Sequence, residues 1–350
     1  MERQTVGSKK SEIEFRKKLA EQQIEGKTHF RDEFSGDRMR EILSQRMEKT
    51  LSDISAIKGS VAEFTPYIEI GAERCQRSLV MENDLGASGA AVDIAFSMLK
   101  SCDHYRSVFK KSKNPARICC DAHNLPFLSG SVAFAFSYEV LHHFPDPSPI
   151  IKEMHRVLSP GGYFYFNEEP YKKILHLNLY KKKHMYSADA LKTGAVRKIF
   201  DYFLAQPTCN EVECGILEND DISLGVWKSA LSVFDEKNVR LRSMKLVETP
   251  LFGPSNIFKR IFSQLCGGEI SGLCRKSGSA HAQQKSIYDV LACPSCMEKG
   301  REEKLLKVES AFKCGACGST FNTVEGVLFL FTGKMLKELY PELPLSAGGI

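Results

Sequence analysis

Beyond Pro66 the chain sets five short apolar runs, YIEIG, AAVDI, ARICC, SVAFAFS and GYFYFN, between stretches with room for helices. Apolar runs this short read as strands buried on both faces, and strands that alternate with helices pair in parallel beneath helical layers. The expected fold class is therefore α/β. Between the fourth and fifth runs, Ile150, Ile151, Met154, Val157 and Leu158 line one face of a crossover helix that Pro160, Gly161 and Gly162 should end. Upstream, Met39, Ile42, Leu43, Met47, Leu51, Ile54 and Ile57 recur at helical steps, whereas the first dozen residues are polar and expected to fray.

The length of 350 residues suggests two domains, or one domain with an appendage, and 43% hydrophobic with 26% charged residues excludes wholesale disorder, collagen-like repeats and a supercoiled rod. We expect a helical extension over 1–62 and an α/β domain over 63–276 with a mainly helical insertion at 171–236. A polar linker at 277–287 and a small unit at 288–350 follow. NVRLRSMKLVE and GGEISGLCRK should supply two closing strands. No stretch of about 18 apolar residues and no apolar block behind the N-terminal charges occurs, which predicts a cytoplasmic protein with reduced cysteines. The net charge of +5 is too small to argue nucleic-acid binding from the whole chain.

The first strand ends at Glu69 and Gly71, where the chain should turn into a helix, and ligands of open parallel sheets bind at such carboxyl ends. Asp93 closes the second strand, followed by Ile94, at a distance that suits a carboxylate accepting from both hydroxyls of a ribose. Asp121, followed by Ala122, closes the third and could accept from an exocyclic amine. The series EIGAERC, AVDIAFSML, CDAHNLPF, SYEVLHHFPDP and EMHRVLSPGGYFYFNEEP resembles, in order and spacing, the class I S-adenosylmethionine-dependent methyltransferases over about 66–170. That resemblance implies a Rossmann-like sheet of seven strands. It further implies Glu69 and Gly71 by the methionine portion of S-adenosylmethionine, Asp93 on its ribose, and Asp121 with Ala122 at its adenine. Tyr138 and Glu139 would line the methyl-donor pocket.

One departure concerns the first loop, which in that family carries glycine at alternate positions and here reads Gly71, Glu73 and Cys75. Side chains there should narrow or reshape the pocket, and Glu73 could still favour a cationic donor. His142 and His143 are the candidate general bases, because imidazole titrates near neutral pH. Glu168 and Glu169 should stand at the rim of the cleft.

Between Tyr171 and Ile199, eight lysines and arginines face only Asp189, with Tyr171, Tyr180 and Tyr186 interleaved. A basic roof over the acceptor site would attract an anionic small molecule, an acidic glycan or lipid-linked acceptor in preference to RNA. Ile174, Leu175, Leu177, Leu179 and Met185 would also allow contact with a membrane surface, and a solvated helix with outward lysines is the plainer reading.

Cys293, Cys296, Cys314 and Cys317 have the C-x2-C-x17-C-x2-C spacing of two knuckles closing one tetrahedral site, which predicts structural Zn²⁺. The segment from Tyr288 to Phe331 resembles the small zinc-ribbon family that includes the activator subunit of transfer-RNA and release-factor methyltransferases. The resemblance implies an activating partner carried in cis, with Val327 to Phe331 packed on the larger domain. Two alternatives stay open: a ribbon that grips RNA, and a catalytically silent scaffold. The scattered cysteines Cys102, Cys119, Cys120, Cys209, Cys214, Cys266 and Cys274 read as packing residues, while Cys75 sits in the donor loop.

Overall fold

The computed structural model describes residues 2–24, 36–183, 194–208, 216–217, 219–279 and 286–343. Two helices, α1 (Glu2–Ile24) and α2 (Gly36–Ile57), precede the sheet. The polar first dozen residues are thus helical instead of frayed. Tertiary contact decides this: Ile13, Phe15, Leu19 and Ala20 are buried, and Lys9 and Arg16 pair with carboxylates of the domain beneath. On α2, Leu43, Met47 and Ile54 form the buried stripe.

The α/β domain begins with β1 (Tyr67–Ile70), α3 (Gln76–Asn83), β2 (Gly89–Asp93), α4 (Phe96–Leu99), α5 (Cys102–Val108) and β3 (Ala116–Cys119). It continues with β4 (Val132–Tyr138), α6 (Ser148–Val157) and β5 (Leu158–Tyr171). The five parallel strands run in the order β3-β2-β1-β4-β5. Their apolar runs are buried because helices cover both faces: Ile150, Ile151, Met154 and Val157 of α6 pack beneath β4 and β5 with Phe164 and Phe166. Each such side chain contributes about 1.5–3 kcal/mol by leaving water. The chain order reverses at β1 and β4, which places a crevice at their carboxyl ends.

The insertion contains β6 (Tyr180–Lys183), α7 (Ala195–Leu204), β7 (Ala205–Thr208) and α8 (Leu224–Leu231), so it is less helical than its composition suggests; β6 and β7 pair in parallel. Trp227 of α8 is fully buried and stacks on Phe166, with ring centroids 5.8 Å apart. Three strands close this side instead of two: β8 (Glu236–Ser243) and β9 (Val247–Pro250) form a hairpin, and after α9 (Ile257–Cys266), β10 (Gly268–Arg275) inserts antiparallel between β5 and β8.

After α10 (Pro294–Met297) come β11 (Leu305–Val308), β12 (Ala311–Cys314), β13 (Thr320–Val324), β14 (Val327–Phe329) and α11 (Gly333–Leu339). Here the seven-stranded expectation is corrected, because β14 lies parallel to β3, pairing Val327 with Arg117, Leu328 with Ile118 and Phe329 with Cys119. β13, β12 and β11 follow outward, and the sheet reaches twelve strands. Main-chain bonds thus join the C-terminal unit to the domain, and side chains add to them: Phe329 packs on Phe96 at 5.0 Å between centroids. Arg156 reaches Glu302 at 3.0 Å.

Candidate functional site

A cavity of about 550 Å³ opens at the carboxyl ends of β1 to β5. Gly71 follows β1 with φ +65°, and a Cβ there would stand 2.3 Å from Val140 Cγ2, so only glycine lets the two loops approach. Glu73 (φ 44°) and Cys75 (φ 62°) are also left-handed, so the loop keeps a glycine-like path at two non-glycine positions. Such conformations cost roughly 1–2 kcal/mol each and need compensation.

For Glu73 the compensation is ionic. Its Oε1 accepts from Arg16 Nη1 at 2.9 Å and its Oε2 from Arg46 Nη1 at 3.0 Å. Burial opposes its ionisation, but Arg46 and Arg16 outweigh that and hold the carboxyl well below the usual range. Cys75 is buried outside the cavity lining, and burial pushes its thiol well up, so it is a packing residue.

Asp93 ties the loop to β2. Its Oδ2 accepts from Glu73 N at 2.9 Å and its Oδ1 from Ala95 N at 2.7 Å, while burial raises its carboxyl to about 6 against those bonds. Asp121 accepts from His123 N at 3.1 Å and pairs with Lys9 Nζ at 2.5 Å. Burial opposes its charge, yet His123 and Lys9 bring it down to about 2. Ile94, Ala122, Tyr138, Glu139, His142, His143 and Glu168 also line the cavity.

Two expected positions differ. Glu69 does not line the cavity; it is buried within β1, accepts from Ser78 Oγ of α3 at 2.5 Å, and burial pushes it up to about 8. Glu169 is fully buried instead of at the rim: it accepts from the backbone N–H groups of Val140, Leu141 and His142, and lies 2.9 Å from His142 Nδ1. It thereby orients His142, whereas His143 Nδ1 meets Leu217 O at 3.0 Å.

The basic roof is also corrected. Of the described insertion residues, Ile216, Leu217 and Asp220 line the cavity, and none of the lysines does. Lys173 donates to Tyr202 O and Lys182 to Asp201, so internal partners hold both. Met185, Tyr186, Asp189, Lys192, Cys209 and Cys214 lie outside the described residues. Lys9, Glu12, Arg16, Arg46 and Arg77 line the cavity without having been expected there. Seven residues separate Lys9 from Arg16, which sets both on one face of a helix, and that spacing was the available signal.

In the C-terminal unit, the four Sγ atoms of Cys293, Cys296, Cys314 and Cys317 lie within 4.8 Å of one another. The pairs Cys293–Cys317 and Cys296–Cys314 are 3.6 and 3.7 Å apart. A tetrahedron with Zn–S of about 2.3 Å has edges of about 3.8 Å, so the donor set fits Zn²⁺.

Residues 68–166, which span β1 to β5 and the crevice, match the family described as a methyltransferase domain. The match covers 99 of the 350 residues. An uncharacterized chloroplastic methyltransferase of Arabidopsis thaliana is 36% identical over 91 residues, 25% of either chain. A tRNA (carboxymethyluridine(34)-5-O)-methyltransferase of Xenopus tropicalis is 26% identical over 197 residues, 51% of this chain and 30% of its own. The matches thus span less than a third of either curated relative. A solved complex of the Haloferax volcanii Trm112 methyltransferase activator with a methyltransferase aligns over 67% of this chain and 94% of that one, at 14% identity and a TM-score of 0.40. No helix among the described residues is long and apolar enough to cross a membrane.

Proposed function

We propose that the chain is an S-adenosylmethionine-dependent methyltransferase whose donor and acceptor meet in this cavity. The observation that carries the reading is that Gly71, Asp93, Asp121, Tyr138 and His142, from the ends of four parallel strands, line one cavity in the methyltransferase domain. Each Asp93 oxygen takes one backbone N–H and has capacity for a second donor, which fits a ribose. Asp121 with Ala122 would hold the adenine, and Gly71 with Glu73 would flank the methionine portion. When bound, the donor supplies a methyl group already activated on a sulfonium, so positioning can provide much of the acceleration.

His142, whose Nδ1 lies 2.9 Å from Glu169, would take a proton from the acceptor. Glu139, Glu168, Asp220 and Glu269 also bring carboxyls to the cavity, which favours an acceptor whose reacting end is a hydroxyl or an amine. Any anionic part, such as the phosphate of a lipid-linked acceptor, would then lie outside, beside the basic insertion. The unit from residue 288 onward would bind Zn²⁺ through its four thiolates and support the methyltransferase domain in cis. A second reading, methylation of RNA, is favoured by the match to the Xenopus enzyme.

Calorimetric titration of the zinc-loaded full-length protein with S-adenosylmethionine and its demethylated product tests the first reading. Asp93→Ala should weaken binding by roughly 5- to 150-fold, the equivalent of about 1–3 kcal/mol. No binding by either folded protein would favour the silent scaffold. RNA binding that falls steeply with salt would favour the second reading.

A further inference from the structure

Two helices of the structure carry their apolar faces outward. On α7, Val196, Ile199 and Phe200 recur at helical steps and are exposed; on α9, Ile257, Phe258 and Ile261 do the same, with Phe258 78% accessible. The inward positions are Asp201 on α7 and Ser263 and Cys266 on α9, the reverse of a helix that hides its stripe against its own domain. The segment after Tyr171 joins the two helices, because Leu175 N donates to Leu265 O at 2.9 Å and Leu177 N to Phe203 O at 2.9 Å. Tyr202 Oη donates to Cys266 O at 2.6 Å. Leu177 and Leu179 are both 67% exposed, so apolar surface runs from one helix to the other.

An exposed apolar surface of this extent marks a contact site, and its charge selects the partner. Lys172, Lys181, Arg197, Lys198, Lys259 and Arg260 belong to the same three segments as the apolar side chains. Within 172–183, 195–204 and 257–266 the sequence holds a single acid, Asp201, which pairs with Lys182 and Tyr180. Protein interfaces need fitted shapes and paired polar groups, whereas spaced aliphatic and phenyl groups on cation-rich segments suit acyl chains beneath anionic headgroups.

We propose that this face docks the protein on an anionic lipid surface, with Phe200 and Phe258 entering the boundary between headgroups and acyl chains. Docking there sets the cavity beside the lipid, since the cavity residues Pro170 and Gly268 adjoin Tyr171 and the end of α9. The assignment goes beyond the methyl-transfer reading and holds whether or not the cavity transfers methyl groups.

Co-sedimentation of the full-length protein with two kinds of vesicle tests it: phosphatidylcholine alone, and phosphatidylcholine containing phosphatidylglycerol. The expected result is retention on the mixed vesicles only, weakened by salt and by about tenfold or more in F200E/F258E, whose thermal midpoint stays that of the parent. Failure to bind mixed vesicles, or equal binding by parent and variant, overturns the proposal. So does a parent dimer that the same substitutions dissociate without any vesicle binding, which would make the face a contact between copies. Vesicle binding without donor binding would instead defeat the methyl-transfer reading and leave this one standing.

Discussion

Arg16 donates to Glu73 at 2.9 Å and so fastens the first helix of the chain to the loop that follows the first strand of the sheet. Because Arg46 of α2 binds the other oxygen of the same carboxylate, one acidic side chain clamps both N-terminal helices over the cavity. Glu73→Gln keeps the backbone and breaks both ion pairs. We expect a loss of about 1–3 kcal/mol and faster exchange of bound donor, read by thermal unfolding and stopped-flow binding. Unchanged exchange would show that the clamp does not gate the cavity.

Glu69 offers a test by pH. Burial raises its carboxyl to about 8 from the ordinary 4.5, so the folded state holds this proton after the unfolded chain has lost it. Stability from this group is therefore complete below about pH 4.5 and declines as pH rises toward 8. Glu69→Gln should match the parent below about pH 4.5, where both side chains are neutral in either state, and exceed it near pH 9 by on the order of a few kcal/mol, measured as urea midpoints in both ranges.

Glu169→Gln should leave substrate binding nearly unchanged and lower kcat by about 10- to 100-fold, because His142 loses the carboxylate that orients its ring. The measurement is steady-state kinetics once an acceptor is in hand. An equal loss in His142→Ala and in the double variant would place both residues in one unit.

Phe329 fills the junction between the C-terminal unit and the larger domain, 5.0 Å from Phe96 and 5.4 Å from Tyr340 by ring centroids. Phe329→Ala should cost about 3–5 kcal/mol, read as a lower urea midpoint. A loss below 1 kcal/mol would mean that the junction repacks or carries little of the stability.

Chelation of the metal should act on the same junction from a distance. If the four thiolates hold Zn²⁺, its removal unfolds the strands they brace, and amide exchange should speed up at Arg117 to Cys119 of β3. Unchanged protection there would separate the metal from the sheet.

The central strands were legible because burial on both faces leaves an uninterrupted apolar run, as in Val132 to Phe136. The cavity acids were legible because Asp93 and Asp121 stand where strands end. α1 was not, since ion pairs from Lys9 and Arg16 to residues far along the chain hold it as much as its few apolar side chains do. Glu169 was misplaced because adjacent glutamates look alike in a sequence, while the alternation of strand faces sends Glu168 to the cavity and Glu169 inward. The contact of Val327 to Phe331 with the larger domain was expected, but its main-chain pairing with β3 was not, because backbone bonds carry no side-chain signature.

That union also sets an order of assembly. The partner of β3 lies about two hundred residues further along, so on a ribosome adding 5–20 residues per second this edge waits roughly 10 to 40 s before Leu328 emerges. Throughout that interval it is an open template for any other extended chain. Completion then falls to Val327–Phe329, so a chain terminated between residue 275 and residue 327 would release an α/β domain with an unfinished edge.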